Sequence, residues 1–408
     1  MLTLLAAIGG FAFASVSTSD FAAHLDRQVH GLHCSFLPGL APTDVSGTTG
    51  CHATLMSRYS SVMRDSVWGG VPISLPAMSV FAYLAFWSGY LLLRRRELDV
   101  RAALFLLAAT LLPVGASAVM GYLSLTELQA ACKVCIGIYI SSGLAFLGAI
   151  GVFLAAHSHA KLAEGGVVPG TGLPQVSWLQ LGLAFVLGVG FVLAPFMAYA
   201  SGAPNFSRYI GKCGEIRAFA DSDSIFVPIG PQGRSDAMVE VLDPLCPACK
   251  AFETRYLSMP IAAQISRKAL LFPLDHECNW MVDSAIHPGA CAVSEAVLCA
   301  KSDAGDVLAW AFSEQEAIVA ATRKDPTAAA RMVKARFPEL GECVGSPAAR
   351  AHLNLGLRWA VKNRLQVLTP QIYITGRRLC DEDTDLGLDY ALPRLVERGH
   401  GKAGGSRR

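Results

Sequence analysis

The chain has 408 residues, 52% of them hydrophobic and only 16% charged, with a formal net charge of +2. An ordinary soluble domain carries about 25% charged residues, so this composition points to a membrane component. A net charge this small, with no basic block interleaved with aromatics, excludes nucleic acid as the expected partner.

A bilayer core asks for about 20 mostly apolar residues per helix, and five stretches qualify as candidate spans. The first, "MLTLLAAIGGFAFASV", meets no charge before Asp20. It is short and lacks the basic flank of a secretory signal, so it is read as a retained helix. The next three lie between residues 65 and 94, 101 and 127, and 133 and 157, and the fifth is "SWLQLGLAFVLGVGFVLAPFMAYA". Lys and Arg in short loops mark the cytoplasmic side. The strongest such loop is "RRRELDVR", residues 94–101. With that loop inside, loops 17–66 and 127–133 fall outside, "HSHAKLAE" returns inside, and the fifth span delivers residues 201–408 to the outside. Every cysteine then shares the extracytoplasmic side.

The one linker-like stretch is "EGGVVPGTGLPQ", 164–175. Beyond the fifth span the chain turns polar and reads as α/β. A strand, "AMVEVLDPL", runs into "CPAC", followed by the amphipathic "KAFETRYLSMPIAAQIS" and a second strand, "KALLFPLD", which is the order of a βαβ unit. From 290 to 364 the apolar spacing is helical, with breaks near Asp303, Pro326 and Pro347. A strand "PQIYIT", a turn at Gly376 and a helix at "LPRLVERG" follow, and the tail "HGKAGGSRR" reads as disordered.

Twelve cysteines include two Cys-x-x-Cys pairs, Cys132/Cys135 and Cys246/Cys249, which makes thiol chemistry in an oxidising compartment the leading idea. Cys246 stands where a strand gives way to a helix, so free backbone N–H groups and the helix dipole favour its thiolate. Pro247 is harmless in that first turn, and Cys249 one turn later is the resolving thiol. A zinc-ligand or inert pair is the competing reading. Cys132/Cys135 stand at the lip of an apolar helix. A closed zinc site wants four ligands, and Cys34 and Cys51 lack the usual short ligand spacing. A redox pair there can reach both a water-borne partner and a lipid-borne carrier.

Residues 225–398 resemble the thioredoxin superfamily, specifically the periplasmic thiol oxidants and isomerases with a helical insertion. The resemblance rests on "CPAC" after a strand and on "VLTPQIYI" before one. It implies that Cys246 and Cys249 are the active-site pair and that Thr369 and Pro370 form the substrate-facing cis-proline loop. The remaining Cys213, Cys278, Cys291, Cys299, Cys343 and Cys380 are expected to form structural disulfides. Six thiols allow 15 pairings, of which Cys278 to Cys291 is the first choice.

The chain as a whole resembles bacterial homologues of vitamin K epoxide reductase fused to such a domain. "GCHATLMSRYSSV", "GVPISLPAMSVFAY" and "CKVCIGIY" carry the likeness, in the family's order and with helices between them. It implies that Cys34 and Cys51 are loop cysteines, that Cys132 and Cys135 lie beside a quinone, and that Ser57 and Tyr139 help to bind it. One departure is the long "SFLPGLAPTDVSGTTG" between the loop cysteines. Trp68 is expected at the membrane interface, and for His30 and His33 two readings stand: tuning a thiolate at Cys34 or, as for most exposed loop histidines, no specific role.

The resulting fold is a membrane α-helical bundle of five transmembrane helices with a four-helix quinone-binding core, followed by a soluble α/β thioredoxin-like domain with a helical insertion. The expected boundaries are 1–160 for the reductase-like membrane domain, 161–205 for the linker and fifth helix, 206–400 for the thioredoxin-like domain and 401–408 for a disordered tail. The expected function is a thiol-disulfide oxidoreductase of the bacterial inner membrane that makes disulfides in exported proteins and reduces ubiquinone or menaquinone. Its partners would be free-thiol substrates, the quinone pool and the lipid bilayer. The same relay run in reverse is a reductase or isomerase, and a rival of another class is a membrane protein holding copper or zinc on paired cysteines.

Overall fold

In a computed structural model of the full chain, the described residues are 1–26, 32–36, 50–128, 130–169, 174–216 and 224–403, with side chains through 398. They form two compact units, Met1–Asn205 and Phe206–Arg408.

The first unit contains α1 (Leu2–Leu25), a short α2 (Gly50–Leu55), a two-stranded antiparallel ribbon of β1 (Ser61–Val62) and β2 (Val71–Pro72), then α3 (Ser74–Leu93), α4 (Val100–Thr126), α5 (Lys133–Glu164) and α6 (Trp178–Gly202). Five of these helices, all but α2, are long and apolar enough to cross a membrane. α1 runs beyond the expected stretch and carries Asp20 inside its last turns. α4 begins where Asp99 Oδ1 accepts the N–H groups of Arg101 and Ala102 at 3.0 and 3.1 Å, an N-cap that satisfies two orphan donors. Asp99 Oδ2 accepts the Val176 N–H at 2.6 Å, which ties the start of α4 to the approach to α6. Ser177 and Gln180 then close a reciprocal capping box on α6.

Within the bundle, α3 buries Phe81, Leu84 and Trp87, and its Tyr83 hydroxyl donates to the Ala184 carbonyl of α6 at 2.7 Å. Small residues let the helices close up, as membrane packing requires: a Cβ on Gly137 of α5 would stand 2.6 Å from the Phe13 ring of α1. The outer face of α6 exposes Leu179, Leu183, Phe185 and Val186, a surface suited to lipid. Trp68 departs from its expected interfacial position. It is 1% exposed, because the turn through Gly69 and Gly70, both at positive φ, folds it inward.

In the second unit a five-stranded sheet has the order β3-β5-β4-β6-β7, comprising β3 (Val227–Pro228), β4 (Asp236–Leu242), β5 (Ile265–Leu271), β6 (Gln371–Ile374) and β7 (Arg377–Arg378). β4 and β5 run parallel, and the other neighbours are antiparallel. Helix α7 (Pro247–Leu257) connects β4 to β5. The long helix expected over 250–266 stops there: Pro260 cannot continue an α-helix and opens a 3-10 turn, after which β5 starts earlier than its pattern suggests. Between β5 and β6 lie α8 (Ala290–Ala300), α9 (Ala304–Thr322), α10 (Ala328–Arg336) and α11 (Pro347–Lys362). One core gathers Leu242, Cys246, Cys249 and the buried residues of α8 and α9, and another packs Met238, Phe252, Ile372 and Leu395.

α12 (Leu388–Ala403) ends the described chain. The tail expected to be disordered from 401 is therefore helical through Ala403, since a helix anchored by buried Leu392 and Leu395 propagates along its own backbone bonds. Residues 404–408 lie outside the described residues. Disulfides join Cys213–Cys380, Cys278–Cys291 and Cys299–Cys343, so the expected Cys278 to Cys291 pair forms.

Candidate functional site

In the membrane unit Cys132 is the N-cap of α5, and its Sγ accepts the Cys135 N–H at 3.2 Å. Both thiols are free. Beside them Cys34 and Cys51 are joined in a disulfide with a Cα–Cα distance of 5.8 Å. A steric feature sets this neighbourhood. Gly50, at the start of α2, packs so closely on the Ala131 backbone that a Cβ would collide with the Ala131 carbonyl. The residues that follow each, Cys51 and Cys132, are thereby brought side by side. Cys34, Cys51, Cys132 and Val134 form one buried cluster, with Phe13 and Cys135 packed against it.

This cluster opens on a cavity of about 770 Å³ walled by α1, α3, α4 and α5, to which α6 adds Val192. Cys51, Cys132, Cys135 and Tyr139 all line it. Most of the wall is aliphatic or aromatic, with a few hydroxyls. Among these, Ser117 of α4 and Ser142 of α5 are hydrogen-bonded at 2.9 Å. An apolar chamber of this size with few polar handles suits a quinone ring and its tail. Ser57, expected at this site, does not line the cavity. Its hydroxyl donates to the Thr54 carbonyl at 2.8 Å, closing the end of α2, and Ser60 faces the cavity instead.

An acid and a histidine pair in the same wall, a contact that no local sequence pattern announces. Asp20 accepts from His33 twice: Oδ1 lies 2.7 Å from Nδ1, and Oδ2 accepts the backbone N–H at 2.9 Å. The available signal was the acid closing an uncharged run. His30 lies outside the described residues.

In the second unit Cys246 caps α7 with Pro247 at the first position. Its Sγ lies 3.6 Å from the carbonyl of Thr369, whose peptide bond to Pro370 is cis. The Thr369 hydroxyl is buried and has no hydrogen-bond partner among the described residues, which leaves it available to a thiolate. A hydrogen bond from the Cys249 thiol outweighs burial and, with Thr369 assisting, brings Cys246 down to about 6. Burial and the same hydrogen bond push Cys249 well above the usual thiol range. The two sulfurs are therefore differentiated, one a ready nucleophile and the other a held thiol.

Two acids in β4 and the turn after it support this pair, and neither was singled out from "AMVEVLD". Glu240 is fully buried. Desolvation, opposed by Arg267 at 2.6 Å, raises it to about 7, and Arg267 also contacts Glu253. Asp243 accepts the Leu245 and Leu274 N–H groups, each at 2.7 Å, and lies 2.7 Å from His287 Nδ1. Burial works against a charged His287, but the Asp243 bond and charge prevail and raise it. Among the described residues the one grouping of possible metal ligands is Cys213, Cys380 and Glu382. Its two sulfurs are bonded to each other, so neither is a thiolate ligand in this state.

Residues 1–150 match the Vitamin K epoxide reductase family. That match and the five apolar helices support a multi-pass membrane protein whose N-terminal part is similar to that family, and a membrane redox enzyme in general terms. Family members use quinones in general. No curated protein and no solved structure was found to match the chain.

Proposed function

We propose that the protein is a quinone-dependent thiol-disulfide oxidoreductase that generates disulfides in exported proteins. The supporting observation is the arrangement in the membrane unit, where a Cys34–Cys51 disulfide, Cys132 and Cys135 are packed as one cluster at the mouth of an apolar chamber. The second unit is read as a thioredoxin-like domain, on the β4–α7–β5 unit, the capped Cys246 and the neighbouring Thr369-Pro370. The second unit and the cysteines of the first are assigned to the extracytoplasmic side of a bacterial inner membrane, following the charge of loop 94–101.

The relay runs by exchange, each step a thiolate attacking a sulfur whose partner leaves as thiolate. A substrate thiolate attacks Cys246 of the oxidised pair, and the substrate's second thiol resolves the mixed disulfide, leaving Cys246 and Cys249 reduced. Cys246 then attacks Cys34, releasing Cys51, and Cys249 resolves the new bond. With Cys132 and Cys135 joined in a disulfide by an earlier turnover with quinone, Cys51 attacks Cys132 and frees Cys135, and Cys34 then closes on Cys51 and releases Cys132 as thiolate. Tyr139 and the hydroxyls of Ser117 and Ser142 would hold a ubiquinone or menaquinone ring beside Cys135. A quinone there supplies the acceptor for two electrons and two protons. An acceptor of higher potential draws the relay toward oxidation, since about 30 mV corresponds to about 1.4 kcal/mol for a two-electron couple.

The test is a trap. Cys249→Ala cannot resolve its mixed disulfide, so it should accumulate a Cys246–Cys34 bond that mass spectrometry locates. A bond found only at Cys51 reverses the order of the loop cysteines. A purified protein that fails to couple thiol oxidation to quinone reduction overturns the reading. Direction is read in cells: mostly oxidised Cys246/Cys249 agrees with the proposal, and mostly reduced favours the reverse relay.

A further inference from the structure

We infer that Asp20 and His33 form the proton relay between the inner thiol pair and a quinone oxygen; this rests on the quinone-reducing reading above. Asp20 is 6% exposed near the end of α1. A carboxylate in a membrane-spanning helix is costly without a partner and is usually functional. Here both oxygens engage one residue, through the His33 ring and its backbone N–H. With Nδ1 held by the carboxylate, Nε2 is the ring nitrogen left to exchange a proton.

Both residues line the cavity that Cys51, Cys132 and Cys135 also line. The other titratable groups on that wall come from α5 and its cap, namely Cys132, Cys135 and Tyr139, while Cys51 is held in its disulfide. Apart from Cys51 on α2, the lining residues of α2, α3, α4 and α6 include no titratable side chain, and among the described residues no Lys, Arg or Glu lines the cavity.

The reaction demands such a group. Oxidising Cys132 and Cys135 breaks two S–H bonds and forms one S–S bond. Two electrons and two protons leave the sulfurs and end on the quinone, forming two O–H bonds of the hydroquinone. In a chamber this apolar, a thiol proton has few ways to reach that oxygen. His33 Nε2 accepts the Cys132 proton and donates it to one quinone oxygen as the S–S bond forms, and, emptied, carries the Cys135 proton to the other in the same way. Asp20 acts as a positioning residue that fixes the ring's tautomer and stabilises the imidazolium while it is loaded.

The test uses the full chain in detergent, reduced with a dithiol and mixed with a short-tailed ubiquinone analogue, with the Cys34–Cys51 disulfide mapped in every variant before reduction as the check on folding. His33→Ala should slow quinone reduction about 100-fold, and added imidazole should recover part of the loss. Asp20→Asn should slow it less, with KM for the quinone unchanged and no imidazole rescue. Without quinone, the pH profile of Cys132 alkylation by iodoacetamide should lose an inflection in His33→Ala. Variants that match the parent in rate and alkylation profile, while the parent reduces quinone, overturn the relay alone. A His33→Ala loss that imidazole does not relieve, with the alkylation profile unmoved, also overturns it. A parent that reduces no quinone overturns the proposed function and the relay with it.

Discussion

Cys132/Cys135 and Cys246/Cys249 are built on one backbone device and part company in what surrounds it. In each the first cysteine is a helix N-cap and the second lies one turn inside. Around Cys246 are Thr369, the Asp243–His287 pair and the buried Glu240, all belonging to a polar α/β unit. Around Cys132 are a second disulfide and an apolar chamber. The helix terminus is shared, and under the proposed function the packing decides each sulfur's partner: a water-borne thiol in one, a lipid-borne oxidant in the other.

The most severe way to break this parallel is Cys135→Ala. Quinone reduction should fall to background while thiol exchange at Cys246 persists, as seen by quinone titration with a fixed thiol donor. A parent-like rate would place the quinone elsewhere. Next is Gly50→Ala, in which the added methyl pushes α2 off the Ala131 carbonyl and separates Cys51 from Cys132. Misplacing reacting atoms by about 1 Å can cost about 100-fold, so stopped-flow exchange between these pairs should slow by about 10- to 100-fold.

The pH dependence of Cys246 sharpens the contrast. Alkylation of reduced protein should be nearly flat above neutrality and fall by about tenfold per unit once pH drops below about 6, with the inflection moving upward in Cys249→Ala because the chief stabilising hydrogen bond is lost. Because the folded thiol titrates below its ordinary value, the reduced unit gains stability from the thiolate. That gain is full above the ordinary thiol range and is lost as pH falls through about 6. Thermal unfolding of the reduced form should track it up to the ordinary thiol range, above which the raised Cys249 works against it, and the Cys246–Cys249 disulfide form should not. The smallest effect belongs to Tyr139→Phe, which keeps the ring and removes one hydroxyl. A net loss of about 1 kcal/mol corresponds to about fivefold in quinone turnover.

Both thiol pairs, the five apolar helices and the strand before "CPAC" were legible because each follows from a local pattern: spacing, charge-free length or alternation. What escaped depends on contacts distant in sequence. His33 looked like an ordinary loop histidine until α1 continued far enough to present Asp20 to it. Ser57 lies in the right segment but three residues from the hydroxyl that meets the cavity, a difference set by where α2 ends. Cys213 and Cys380 are separated by 167 residues, and no local pattern announces such a pairing.

That last bond has a mechanical meaning. The chain leaves α6 at Gly202, reaches Cys213 shortly afterwards and crosses covalently to Cys380, just ahead of α12. Tension applied between α6 and α12 is therefore carried across the S–S link, and the chain between the two cysteines, with all of β4, α7 and the Cys246 turn, is spared the load. A pull along the chain between these two helices thus leaves the Cys246 turn in place.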